Sequence, residues 1–584
     1  MSQRFDTVIK SGTIIDGVRT PRFVSDIGIK DGHIAYIGNI KDAGSARVLD
    51  ASGKIVAPGF IDLHTHYDSQ IYWDPWCTIS GWHGVTSVVI GNCGFGFAPC
   101  KPEDRDRSML AMSRNEAVPL ATMKAGMPWD WETFPEFLDS IERTPKGVNV
   151  MSYVPLSPLI LYVMGMEAAK TRPATEEERE RMRALFIESL DAGACGFSVQ
   201  YTGTENVQRD YDGTPMVTDI MAHRDLLMFA EVLRERGEGF IQFAGSLDHA
   251  IELGEVSGRP VVWNSLGAGT DQHGVPTVGH KLAIKQIDEA NARGIRIFAQ
   301  AVTNGIAFFF TFEDWNLFDN SLLWRDLTLG TIEEKIQKMK DPARREALRE
   351  EHDSGRGPAA GGGTRDQNKN GFAGIEELYI ISVESEHWRE YEGYTLGDFA
   401  KVVGKHPIDA ILDLIVEENL KTQFQTPPID IDREPMAEVI RSPMALPGIS
   451  DGGAHTKFIT NGIYPTEFLI EHVRKNNVVD LEEAHWRLSA YQAYAAGLRD
   501  RGFLREGMPA DIIVYDYDKL ELLPVEVAHD YPANEWRRVQ KANGYAYILV
   551  NGEVTFQDGE CTGATPGSLL RHGYDAPALA LAAE

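Results

Sequence analysis

Eight short apolar runs, spaced by stretches of helical periodicity, limit what this chain can fold into more than any other feature. The first is the run before His64, Ala57-Pro-Gly-Phe-Ile-Asp-Leu-His-Thr-His66. The others are 87–93 (SVVIGNC), 149–155 (NVMSYVP), 194–199 (ACGFSV), 239–245 (GFIQFAG), 260–266 (PVVWNSL), 296–302 (RIFAQAV) and 445–452 (ALPGISDG). Between them lie patterns such as ATEEERERMRALFIESLDAGA (174–194) and HRDLLMFAEVLRERG (223–237), the latter apolar at helical spacing and closed by a glycine. Short apolar-rich runs of this length read as strands. Eight such strands alternating with helices predict an α/β fold, a parallel TIM-like (β/α)8 barrel whose active site sits at the C-terminal strand ends.

The flanks have another texture. Residues 1–56 alternate apolar and polar residues around glycine turns, and so do ADIIVYD (510–516) and AYILVNGEVTFQDG (546–559), the second turning at Asn551-Gly552. These ends predict one small β-sandwich domain built from residues 1–56 and 491–562 around a barrel of residues 57–490, with a tail at 563–584. Residues 306–440 exceed any ordinary βα loop and form an insertion, either a lid over the site or a surface decoration. It contains FFFTFEDWNLFDN, a helix over TIEEKIQKMKDPARREALREEH and the loop-like GRGPAAGGGTRDQNKNGF (355–372). The apolar tail needs a surface to lie on, its own barrel or a second subunit of a homo-oligomer.

Eighty-six acidic against 57 basic residues give a net charge of −29, which argues against nucleic acid or an anionic membrane as partner. Five scattered cysteines (77, 93, 100, 195, 561) argue against a disulfide framework and for a reducing cytoplasm. The first residues, MSQRFDTVIKSG, hold no signal-peptide core, and no apolar run reaches bilayer length.

His64 and His66 are two residues apart at a strand end, so both rings face one way and can share an ion. Cys93 closes the second strand among glycines. A thiolate there would be a soft zinc ligand, the alternative being a buried structural cysteine. Asp451, in Gly448-Ile-Ser-Asp451-Gly-Gly-Ala-His455, closes the eighth strand. A carboxylate facing a metal centre can accept a proton from water and return it to a leaving amine, although a lone S-D-G is often only a turn.

PGFIDLHTH resembles the first barrel strand of the amidohydrolase superfamily, and SVVIGNCGFG resembles its D-aminoacylase, or N-acyl-D-amino-acid deacylase, branch. Segments 498–516 and 546–571 are similar to the family's return to the β domain and its last hairpin. The resemblance implies a zinc hydrolase of N-acyl amino acids or related small amides, with Cys93 contacting the metal and Asp451 as both ligand and general acid/base. In that branch strands five and six each end in a metal-binding histidine. Here Gln242 and Asn264 stand at those ends, and amide oxygens are weak zinc ligands. The favoured expectation is one zinc ion held by His64, His66, Cys93 and Asp451, with Gln242 or Asn264 binding substrate. Recruitment of His249, His273 or His455 as replacement ligands, a second or another divalent ion, and a metal-free binding protein are the alternatives; His280 reads as a loop histidine. Tyr153 and Tyr201, at the ends of strands three and four, and His455 are candidate substrate contacts. Phe308 to Phe310 and Trp315 hint at an apolar acyl group. A substrate carboxylate would need an arginine that the sequence does not single out. Hydrolysis of a cyclic amide, lactone or ester is the competing activity.

Overall fold

The eight runs form eight strands around a closed barrel. The structure, a computed structural model, describes residues 5–204, 208–268, 279–305, 307–313, 317–355, 357–358, 373–427 and 433–572. The barrel strands are Phe60–Asp62, Val85–Ile90, Asn149–Ser152 continuing into Val154–Pro155, Gly196–Tyr201, Phe240–Gly245, Val261–Leu266, Ile297–Val302 and Ala445–Gly448. Each pairs in parallel with the next. A parallel bridge between Thr65 and Gly452 joins the first strand's extension to the eighth's and closes the ring. Ile61, Leu63, Val89, Met151, Phe240, Val262, Phe298 and Leu446 fill the interior as one buried cluster, so the barrel is packed rather than hollow.

The helices start and stop where side chains supply the missing hydrogen bonds. Thr175 and Glu178 form a reciprocal capping box at the start of Glu176–Asp191. His223–Arg236 ends at Gly237, whose φ of +69° is left-handed. The predicted single helix TIEEKIQKMKDPARREALREEH is two, Ile332–Lys340 and Pro342–Asp353. Asp341 caps the second and Pro342 opens it, because proline cannot continue a helix but fits its first turn.

Both chain ends build one nine-stranded sheet, in which Ile55–Pro58 pairs antiparallel with Ile512–Tyr515. Strand alternation splits its side chains between two cores. Ile512 and Val514 join Ile9, Ile27 and Val56, whereas Ile513 and Tyr515 join the large barrel cluster with Phe60 and Val85. The sheet is thereby anchored on the barrel. The hairpin at Asn551-Gly552 has both turn residues at positive φ, as its sequence predicts. Of the tail, residues up to 572 lie on the barrel itself: the N–H of Gly567 donates to Lys146 O and that of Val150 to Ser568 O. Residues 573–584 lie outside the described residues.

The insertion carries a three-stranded sheet, Phe309–Phe310, Gln423–Gln425 and Tyr379–Ser382, and its own apolar core. Phe310, Phe312, Phe318, Trp324, Phe399 and Phe424 fill that core together with Ala117, Phe458 and Ile459 from the barrel loops. Phe308 and Phe310 are thus core residues and not the acyl-pocket wall that the sequence suggests; Trp315 and most of the loop 355–372 lie outside the described residues. No helix among the described residues is long and apolar enough to cross a membrane.

Candidate metal centre

Three strand ends bring the candidate ligands together. Past the first strand, Thr65 N–H and its hydroxyl both donate to Val89 O, and His66 N–H donates to Gly452 O at 2.6 Å. The segment is therefore clamped between strands two and eight, with His64 and His66 each 2% exposed. After strand two the chain turns through Gly91, Cys93 and Gly94, all at positive φ. A Cβ at Gly94 would meet Val199 Cα at 3.2 Å, so the close approach of the turn to strand four favours glycine. Cys93 Sγ lies 3.5 Å from His64 Nε2, and ligand atoms of His64, His66 and Cys93 all fall within 4.8 Å of one another. Asp451 Oδ1 lies 3.1 Å from His64 Nε2 and 3.8 Å from His66 Nε2. Cys93, Asp451 and His455 have φ near +50°, a conformation costing about 1–3 kcal/mol per non-glycine residue and concentrated at functional sites.

Sequence reasoning missed three further acids. Asp62 and Asp68 are buried and alternate with the histidines as Asp62-x-His64-x-His66-x-Asp68. That period of two is a legible signal for one face of an extended segment. Glu116 ends the helix Arg105–Glu116 and is 1% exposed. Its Oε2 lies 3.2 Å from His455 Nε2 and 3.9 Å from His66 Nε2. No sequence signal marks it, since a glutamate on a helix rich in charge reads as solvated.

The electrostatics favour a cation. Burial opposes charge at His64, but Cys93 and Asp451 beside it hold its pKa well above the ordinary imidazole value. Burial, then the nearby His64, pushes His66 down to about 3. Burial raises the Cys93 thiol, partly offset by His64. Against its burial, contact with His64 holds Asp451 well below the usual carboxylate range. Burial lifts Asp62 and Asp68 to about 7, and Glu116 well above its ordinary value. Among the described residues, Glu116 Oε1, His66 Nδ1 and Asp62 Oδ2 are buried without a hydrogen-bond partner. Unmade bonds on buried donors and acceptors are costly, and a divalent ion among nitrogen, sulfur and carboxylate donors would compensate these. The donor set suits zinc.

The opposite side of the barrel mouth carries carboxamides. Gln242 Oε1 accepts the Cys93 N–H at 2.7 Å. Asn264 Nδ2 and Gln300 Oε1 both meet His64 Nδ1, the latter at 3.2 Å. The far atoms of these amides, Gln242 Nε2, Asn264 Oδ1 and Gln300 Nε2, have no hydrogen-bond partner among the described residues. Gln242 and Asn264 therefore orient the candidate ligands, a role beyond the substrate contact expected of them. Gln300 is legible as the one polar residue within Ile-Phe-Ala-Gln-Ala-Val.

Other expected residues lie elsewhere. Tyr153 is fully buried in the barrel core, edge-on to Phe240. Tyr201 packs at a tilt on His223 and edge-on to His249, and His223 Nε2 meets Glu252 at 3.0 Å, a group separate from that of His64. His280 pairs with Glu438. His455 joins the centre through Glu116, and His273 lies outside the described residues.

The model of the amidohydrolase family matches residues 47–556. A D-aminoacylase of Alcaligenes xylosoxydans xylosoxydans is 27% identical, the match covering 97% of this chain and 98% of that protein. An N-acyl-D-aspartate deacylase of the same organism is 26% identical over 98% of this chain and 96% of its own length. Among solved structures, an N-acyl-D-glutamate deacylase from Bordetella bronchiseptica, complexed with zinc and a phosphonate mimic of the tetrahedral intermediate, superposes with a TM-score of 0.66. It is 22% identical, over 97% of this chain and 100% of that one.

Proposed function

The chain belongs to the amidohydrolase family, and we propose that it hydrolyses the amide C–N bond of an N-acyl amino acid, the substrate class in the names of its full-length relatives. The observation that carries this reading is the buried convergence of His64, His66 and Cys93 within 4.8 Å, with Asp451 at 3.1 Å from His64. In this reading His64, His66, Cys93 and Asp451 hold one zinc ion, four donors being enough for one such site. When bound, the ion lowers the pKa of water towards neutrality and polarises the scissile carbonyl.

The chain's own residues supply the rest. Asp451 accepts the proton of the attacking water as oxygen adds to the carbonyl carbon. It then delivers that proton to the nitrogen as the C–N bond breaks, leaving an amine and a carboxylic acid whose remaining proton passes to the amine or to water. Asn264 and Gln300 fix the ring of His64, and Gln242 fixes the turn that presents Cys93. The insertion's core, continuous with Ala117 and Phe458, braces the segments bearing Glu116 and His455. We assign the catalytic unit to residues 57–490 with the insertion 306–440, the β domain to 1–56 with 491–562, and the tail to 563–584. Five free cysteines fit a reducing cytoplasm.

The test is elemental analysis of protein purified without chelator, with a panel of N-acyl amino acids read by an amine-reactive dye. About one zinc per chain and release of primary amine, lost on chelation and restored by zinc, are expected for a single site. Turnover confined to a cyclic amide or an ester would replace this reading with the competing one.

A further inference from the structure

A small opening flanks Asp451, lined by Tyr67, Ser450, Asp451, Thr456, Arg537 and Arg538, among others. Arg538 comes from a distant part of the chain, the hairpin of Glu526–Tyr531 and Glu535–Val539. Its N–H donates to Thr456 O at 2.7 Å, which pins the hairpin to the segment following His455.

The guanidinium is held entirely by neutral groups. Nε donates to Lys457 O at 2.9 Å, one Nη donates to Gln423 Oε1, and the plane lies 4.2 Å above the Phe309 ring. The residue is 7% exposed, and among the described residues no carboxylate pairs with it. Burial with no acid to offset it brings the pKa down to about 10. Arg537 next to it is the control: it is also buried, and Asp74 and Asp530 pair with it. A buried charge without a counter-ion is costly. A guanidinium fork fixed in advance, in a cavity shared with the candidate general base, suits a carboxylate that arrives with the ligand.

We propose that Arg538 binds the carboxylate of the substrate and thereby sets the amide bond against Asp451. The proposal rests on the hydrolase reading and narrows it: the substrate is an anion, and its acid group, not the acyl chain, enters the opening beside Asp451. It also names the arginine that the sequence does not single out. The bland alternative is a strut, since Arg538 joins the hairpin to the insertion through Gln423 and Phe309.

The deciding experiment compares zinc-loaded wild type, Arg538→Met and Arg538→Lys on matched substrates, an N-acyl amino acid and its neutral carboxamide. The wild type is expected to prefer the acid, and Arg538→Met to lose about 100-fold of that preference, mainly through KM, as for a charged hydrogen bond. Arg538→Lys should keep part of it. Equal losses on both substrates, or no loss on either, would overturn the proposal in favour of the strut. Melting curves and metal content identify a variant that has merely misfolded, in which case Arg538→Lys decides by its acid-to-amide ratio. If the wild type hydrolyses neither substrate, the hydrolase reading fails, and calorimetry with the N-acyl amino acid judges Arg538 separately. Binding weakened at least about tenfold in Arg538→Met keeps the clamp; equal or absent binding removes it.

Discussion

Strands one, two and eight bring His64, His66, Cys93 and Asp451 to the barrel mouth; strands five, six and seven bring Gln242, Asn264 and Gln300. The first group can carry charge, brings ligand atoms of His64, His66 and Cys93 within 4.8 Å of one another, and includes two residues in the left-handed backbone region. The second group cannot ionise, and each amide spends one end on a member of the first. The difference teaches a division of labour: one side supplies the ionisable side chains, the other the amides that hydrogen-bond to them. The amides stand within strands five, six and seven, whereas the donors stand on the short segments that leave strands one, two and eight.

The comparison is broken most severely at the donors. His64→Ala or Cys93→Ala should remove the metal and lower kcat more than about 10⁴-fold, or about 5.5 kcal/mol of barrier. Elemental analysis and single-turnover assays measure the two together, and a variant that keeps both would exclude that residue from the centre. Asp451→Asn should lower kcat by about 10³-fold while most of the metal remains, because proton transfer is lost before ligation. Wild-type turnover in that variant would remove its acid/base role.

The amide side should respond more mildly. Asn264→Ala, which frees one partner of His64, should weaken zinc binding by about 10–100-fold, read by competition with a chromophoric chelator. Unchanged affinity would reduce the strand-six amide to a lining residue. The smallest effect is a control away from both sides. Thr175→Ala removes a helix cap and should cost about 1 kcal/mol in denaturant titration, with metal content and kcat unaltered. A loss of metal there would mean that the centre depends on global stability more than on its donors.

Much of this architecture is legible in the sequence. The eight barrel strands are, because runs buried on both faces cannot hide their apolar continuity. The first donors are legible because His64 and His66 are close in sequence and share a strand face. The helix break at Asp341-Pro342 is written in the residues, although the longer periodicity around it masks the break. Gln300, Asp62 and Asp68 leave faint signals of alternation, weaker than the histidines they neighbour in space. Glu116 and Arg538 leave none: one reads as a solvated helix charge, the other as one basic residue in a pair.

The sequence by itself determined the α/β barrel, the strand-end donors and the pairing of the two chain ends, since each rests on local periodicity and on residue types a few positions apart. Only the tertiary structure decided that three amides hold the donors in place, that Glu116 reaches His66, that the insertion's phenylalanines form a core, and that Arg538 lines one opening with Asp451 and, among the described residues, pairs with no carboxylate. Those facts depend on contacts across tens to hundreds of residues. There the burial of a charge, and whether an acid meets it, is fixed by packing that no local pattern encodes.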